Sequence, residues 1–502
     1  MVSSWPNYRL FLIAALISFC SNWQFAFQIT YVNTSVTTFY NLANQGFRAV
    51  RECQLCWLPE QSWETAWSTI VSSFYPGAIV GFLVVPWLIS RFGVKKSQIF
   101  MCVAAIIGCF IHYVAILVIA DGETIISLIL ILGRFLIGIQ GGSSLCLLPL
   151  YIMEISPPQN RPFLNTFQQI SQAVGTLLGL LIGSEAFLPL GENRFAWLQV
   201  FAVAPTIFFL LLLLLTPTTP PQLLKQRCHT IDIVESLQYY YGSQYCIDNL
   251  RVEWSQAANN NKSESSKKIP FSTWKGFAIG CAAAASYAFT GDDLIDTFSS
   301  QMLTGIQGVS GVSTDMADLI SVVMGVVLVL GSVGGAFLID RFGRRRLIIL
   351  GLLGCSTSNL LLVIFPSSVR VATVSFTLTK AFIGLGAGAP AWFLTTELVP
   401  PSRVSLFQSF STGILLITTM LVTFFYLRLE LAIHQYSILL LTTGPAMILA
   451  ILLFLFLPET QNRTNAEIQH LLNTPFSGFA KPKKSRLISI SSSYGSMNQY
   501  EY

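Results

Sequence analysis

Three acids, Asp292, Asp293 and Asp296, crowd one apolar stretch of this chain, and two bases, Arg134 and Lys380, stand in two others. An ionisable side chain in hydrocarbon costs on the order of 2.5–3.5 kcal/mol even on permissive scales, so such residues pair, face water or mark function. The chemistry open to them is ion pairing, proton carriage or recognition of a polar solute. Amides share the same surroundings: Gln28 and Asn33 early in the chain, then Gln168, Gln169 and Gln172 together. An amide donates and accepts, which suits contact between helices or with a solute.

Other chemistry has no support. No Gly-x-x-x-x-Gly-Lys-Ser/Thr loop is present, the four His show no metal-ligand spacing, and no nucleophile has a base at readable distance. Neither an enzyme, a metal site nor a cofactor is expected. The ten Cys lie mostly in apolar stretches, where free Cys acts as a small hydrophobe. Cys53 and Cys56 are the exception, a candidate local disulfide in the first outer loop; two Cys without a nearby His are too few for zinc.

What must position these groups is a bilayer-spanning scaffold. At 53% hydrophobic and 11% charged, with mean hydropathy +0.61, the chain is too apolar for a soluble protein of 502 residues. Stretches of about 20 residues, enough to span, fall near 8–29, 66–89, 97–119, 124–149, 164–187, 196–216, 274–299, 317–339, 347–366, 371–396, 405–428 and 434–457. Basic residues gather on the loops of one side, among them Arg91, Lys95, Lys96, Arg161, Arg341 to Arg346 and Arg403, so both termini are expected in the cytosol. The net charge of +5 is this girdle and calls for no nucleic acid. The expected division is an N-terminal bundle over 1–216, a cytosolic linker with short helices over 217–273, a C-terminal bundle over 274–458 and a cytosolic tail over 459–502. The Asn/Ser/Lys run at 259–268 reads as disordered, and Ser489 to Ser493 as a candidate phosphorylation region. Glu467 to Leu472 fits either an amphipathic helix or an acidic dileucine signal, and Asn33-Thr34-Ser35 is a sequon close to the bilayer.

The two halves repeat. Glu154-Ile155-Ser156-Pro157-Pro158 through Arg161 returns as Glu397-Leu398-Val399-Pro400-Pro401 through Arg403, and Arg91-Phe92-Gly93 returns as Arg341-Phe342-Gly343. In the same register Arg134 corresponds to Lys380. A repeat of this size in a membrane protein implies two like bundles, which in many secondary transporters rock about a central site.

With Asp340 before Arg341, Gly133-Arg134 and the closing Pro458-Glu459-Thr460, the chain resembles the sugar-porter family of the major facilitator superfamily, in particular its facilitative glucose-transporter branch. The resemblance implies an all-α membrane protein of twelve transmembrane helices in two six-helix pseudo-repeats, the major facilitator fold, carrying a sugar-like solute by alternating access. It implies a cytosolic gate of ion pairs, Arg91 with Glu154 and Arg341 with Glu397, among Arg161, Asp340, Arg345, Arg403 and Glu459. It also implies solute contacts from Gln169, placed relative to Arg161 as in the family, and from Trp392-Phe393; Gln28, Asn33 and Asp293 are further candidate solute contacts in this chain. The partners implied are a small-molecule substrate and the lipid bilayer, most naturally the plasma membrane; a monomer suffices for transport, and the oligomeric state is open.

The departures from the family pattern carry information. Tyr287 and Ala288 replace two Gln, Asp293 replaces an Asn, Gly384 replaces a Glu, and Ile414-Leu415 replace Asn-Trp. Gln28 stands where proton-coupled members have the Asp that pairs with the span-four Arg; it cannot titrate, so Arg134 is expected to bond an amide. Val94 replaces an Arg of the inner motif, which predicts a weaker N-terminal lock. By pseudo-symmetry Lys380 is expected to pair with Asp292 or Asp296. Alternatives are a proton-coupled or organic-ion transporter using the span-seven acids, and a transport-dead nutrient receptor.

Overall fold

The computed structural model describes residues 8–479 except 54, 158–159, 227–228, 243–268, 305–312, 367 and 462. Among them, ten helices are long and apolar enough to cross a membrane: Tyr8–Thr34, Ala66–Phe92, Val94–Val114, Glu123–Ile155, Arg194–Leu215, Met316–Ile339, Arg344–Ile364, Val369–Leu398, Val404–Tyr426 and Tyr436–Phe456. They are spans one to four, six and eight to twelve. Span five is Arg161–Asn165 followed by Phe167–Gly183, and span seven is Phe271–Ala288 followed by Asp292–Thr304. These two are interrupted, and they carry the Gln cluster and the three acids. With no water in a bilayer core, backbone groups must be satisfied within each segment, which is why the spans are built from helices.

Burial separates inner spans from outer ones. Span one is 67% buried over its apolar stretch and span twelve only 28%, so span one lies inside the bundle and span twelve against lipid. Spans two and four pack backbone to backbone: a Cβ at Gly77 would lie 2.0 Å from the Phe135 carbonyl oxygen, and one at Gly142 2.2 Å from that of Ala78. Small residues bring membrane helices this close because packing, not hydrophobicity, joins them in lipid.

The repeated motif repeats as geometry. Gly93 (φ 81°, ψ 170°) and Gly343 (φ 82°, ψ 164°) make the same turn between spans two and three and between eight and nine. Few L side chains adopt that conformation, so glycine is needed at both. On the same basic end, two short helices, Pro220–Gln226 and Thr230–Tyr241, follow span six. Asn465–Leu472 follows span twelve and starts with a Thr464/Glu467 capping box. Leu471 and Leu472 are buried there, so this segment is a packed helix and not an open sorting signal. The 259–268 run and Ser489 to Ser493 lie outside the described residues. At the opposite end a helix, Val36–Arg51, leads to Cys53 and Cys56, which are bridged.

Candidate transport site

The bundles meet in the middle of the molecule through two side chains. Trp392 on span ten donates from Nε1 to Gln169 Oε1 on span five at 2.6 Å. Both are buried, and Gln169 Nε2 has no hydrogen-bond partner among the described residues. The approach requires Gly388, where a Cβ would lie 2.4 Å from Gln169 Oε1. Around Trp392 stand the Tyr287 ring, with centroids 4.6 Å apart, and the Phe25 ring, edge-on at 6.4 Å. Gln408 Nε2 holds the Trp392 carbonyl at 2.9 Å. Asn22 Nδ2 on span one donates to Gln172 Oε1 on span five at 3.0 Å and to the Gln168 carbonyl, while the side-chain amide of Gln168 is buried without partners among the described residues.

Phe393, expected beside the solute, points elsewhere. One residue along a helix turns the side chain by about 100°, and Phe393 packs with Ile339, Leu347 and Ala389 inside the C-terminal bundle. Asn33 is also otherwise engaged, its Nδ2 donating to Ser299 Oγ on span seven at 3.2 Å. That bond, with Ser184 Oγ donating to Asp318 at 2.7 Å, ties the two bundles at the end opposite the basic loops. At the basic end the Phe163 and Phe337 rings, 6.5 Å apart, bring spans five and eight together.

The intramembrane charges sort by half. Arg134 reaches Gln28, with Nη1 to Oε1 at 3.4 Å and Nη2 to the carbonyl at 3.2 Å, and Gln28 in turn donates to Gln24. Gln28 is thus a partner of Arg134, shut away from solvent. Lys380 lies between two carboxylates, contacting Asp292 Oδ1 and, at 2.6 Å, Asp296 Oδ1. The Tyr287 hydroxyl donates to the other oxygen of Asp292. The break in span seven makes this possible: Gly291 takes φ 87°, and Asn359 Nδ2 holds the Thr290 carbonyl at 2.9 Å. Asp293, on the next face, accepts from Thr419 Oγ1 at 3.0 Å through Oδ2.

At the basic end the expected pairings are corrected. Glu397 meets Arg344, not Arg341, with Nε to Oε1 at 3.5 Å. Arg341 closes span eight on its exposed side, whereas Arg344 opens span nine beneath the glycine turn and is buried. Glu154 does not meet Arg91, which is exposed; its Oε2 accepts from Thr219 Oγ1 at 2.6 Å. Thr460 Oγ1 makes the matching bond to Glu397 Oε2, also 2.6 Å. Glu459 Oε1 accepts from the backbone of Arg344, Thr460 and Gln461, and Arg345 reaches the Phe454 carbonyl at 2.6 Å. Arg161 Nε holds the Ser156 carbonyl, Arg403 begins the turn into span eleven, and Asp340 lies on the last turn of span eight. The residues sequence reasoning missed are Arg344, Thr219 and Thr460. Aligning Arg344 with Val94, and the two Thr after the sixth span of each half, was the signal available.

Two like six-helix bundles joined over a buried polar centre define a major facilitator transporter. The chain belongs to the sugar (and other) transporter family, whose profile matches residues 1–472. It is 26% identical to the glucose transporter GlcP of Staphylococcus epidermidis over 80% of this chain and 88% of that one. It is 25% identical to the solute carrier family 2 facilitated glucose transporter member 3 of Rattus norvegicus, over 77% of this chain and 78% of that one. Among solved structures it resembles the proton:xylose symporter XylE bound to 6-bromo-6-deoxy-D-glucose, with a TM-score of 0.77 and 19% identity over 93% of this chain and 100% of that one.

Proposed function

We propose that this protein is a facilitative sugar transporter that works by alternating access. The observation carrying the reading is the Trp392–Gln169 bond: the bundles touch through groups that sugar hydroxyls can take over, and the side-chain nitrogen of Gln169 is buried without an acceptor among the described residues. An unpaired buried donor costs about 1–3 kcal/mol, which a sugar oxygen would recover. The Tyr287 and Trp392 rings supply an apolar face for the ring carbons. Transport without proton coupling is supported by Gln28, which gives Arg134 an amide in place of a titratable acid. On this reading the protein sits in the plasma membrane with its basic end and both termini in the cytosol. The bundles fall on 1–216 and 274–458, a single chain suffices, and no cofactor or nucleic acid takes part.

Proteoliposomes holding the purified protein test this. Radiolabelled hexoses and pentoses are expected to equilibrate without accumulating, at the same rate with or without an imposed pH gradient. Gln169→Ala and Trp392→Ala are each expected to cut uptake about tenfold or more, the loss of roughly 1.4 kcal/mol of stabilisation. Accumulation driven by the gradient, or full uptake in both variants, would overturn the reading.

A further inference from the structure

One buried carboxyl beside the transport site has no cationic partner among the described residues. Asp292 and Asp296 share the Lys380 ammonium. Asp293 is as buried as they are, yet among the described residues its Oδ1 has no hydrogen-bond partner and its Oδ2 has only the neutral Thr419 hydroxyl. Among the described residues no Lys, Arg or His forms an ion pair with it. Arg134, a buried cation of the other bundle, is held by Gln28. Tyr287 links this region to the solute contacts, its hydroxyl on Asp292 and its ring against Trp392.

We propose that the transported sugar carries a protonated amine, as a hexosamine does, and that Asp293 selects it. The inference rests on the sugar-transporter reading and adds the substrate class to it. A neutral hydroxyl can donate to the free oxygen of Asp293 but brings no counter-charge, and a buried carboxyl without one favours its neutral form. An ammonium gives the same oxygen a donor and a counter-charge, and such charge-assisted bonds are roughly twice as strong as neutral ones. The two acids flanking Lys380 outnumber its one ammonium, which also favours a cation nearby.

The test is competitive uptake of radiolabelled glucosamine, glucose and N-acetylglucosamine into proteoliposomes, at a pH below the amine's own pKa. N-acetylation keeps the ring and removes the charge. The native protein is expected to prefer glucosamine to both neutral sugars by about tenfold, a factor equivalent to 1.4 kcal/mol. Asp293→Asn and Asp293→Ser are each expected to bring the ratio near one, and Asp293→Glu to keep it. The native ratio is read without any variant, so a variant that does not fold leaves the proposal testable. Equal uptake of all three sugars by the native protein overturns the amine selectivity while leaving the transporter reading intact. A preference that survives Asp293→Asn overturns the role of Asp293. Sugar accumulation driven by a pH gradient and lost in Asp293→Asn overturns it too, because the carboxylate then takes a proton. If no sugar enters, the transporter reading itself fails.

Discussion

Val94 and Arg344 stand at the same step of the two halves, each directly after a glycine turn, and only Arg344 brings a charge to the acid ending the neighbouring span. Glu154 has the Thr219 hydroxyl, whereas Glu397 has both the Thr460 hydroxyl and the guanidinium. We therefore expect Arg344→Ala and Glu397→Gln to be coupled in a double-mutant cycle by at least about 0.5 kcal/mol, read from detergent melting. Val94→Ala with Glu154→Gln is expected to show no such coupling, and equal coupling in both halves would refute the asymmetry.

Lys380→Met leaves two buried carboxylates without their cation. Breaking a buried pair by removing one partner costs about 3–5 kcal/mol, so the variant is expected to lose most of its folded, monodisperse protein on size-exclusion chromatography. Adding Asp292→Asn and Asp296→Asn to it is expected to restore part of the yield. Native yield from Lys380→Met alone would show that the contact contributes little.

Gly388→Ala separates stability from transport. Alanine is the better helix former by about 0.8–1.0 kcal/mol, but its Cβ would lie 2.4 Å from Gln169 Oε1. Uptake is expected to fall at least about fivefold, with a melting temperature that moves far less than that of Lys380→Met. Unchanged uptake would mean that Gln169 shifts freely and positions nothing.

Gly93→Ala and Gly343→Ala each force an unfavourable φ, at about 1–3 kcal/mol. The new methyls would also meet the Gln222 side chain and the Glu459 carboxylate, respectively. Both variants are expected to lower the melting temperature by similar amounts, and a large effect in one half alone would contradict the shared turn.

Much of this architecture was legible in the chain. Apolar length marks the spans, and the repeated Glu-x-x-Pro-Pro phrase aligns the halves. That Lys380 would find an acid followed from what a bilayer does to a lone ammonium. The choice among Arg341, Arg344 and Arg345 as partner of Glu397 was not legible, because it depends on which way the helix leaves the Gly343 turn. The same holds for Trp392 and Phe393: adjacent aromatics read alike, and only the packing of span ten against Gly388 and Gln169 turns one to the centre and the other to Leu347. The link from Tyr287 to Asp292 depends on the break at Gly291, where a left-handed residue interrupts the helix.

The interrupted span seven has a consequence for biogenesis. Its three acids leave the ribosome well before Lys380, which lies 88 residues after Asp292 and 84 after Asp296. Asp at a helix centre costs roughly 2.5–3.5 kcal/mol on translocon insertion scales, so the segment is a poor candidate to partition into lipid by itself. We expect its lateral release to wait for span ten, so that the C-terminal half assembles as a unit.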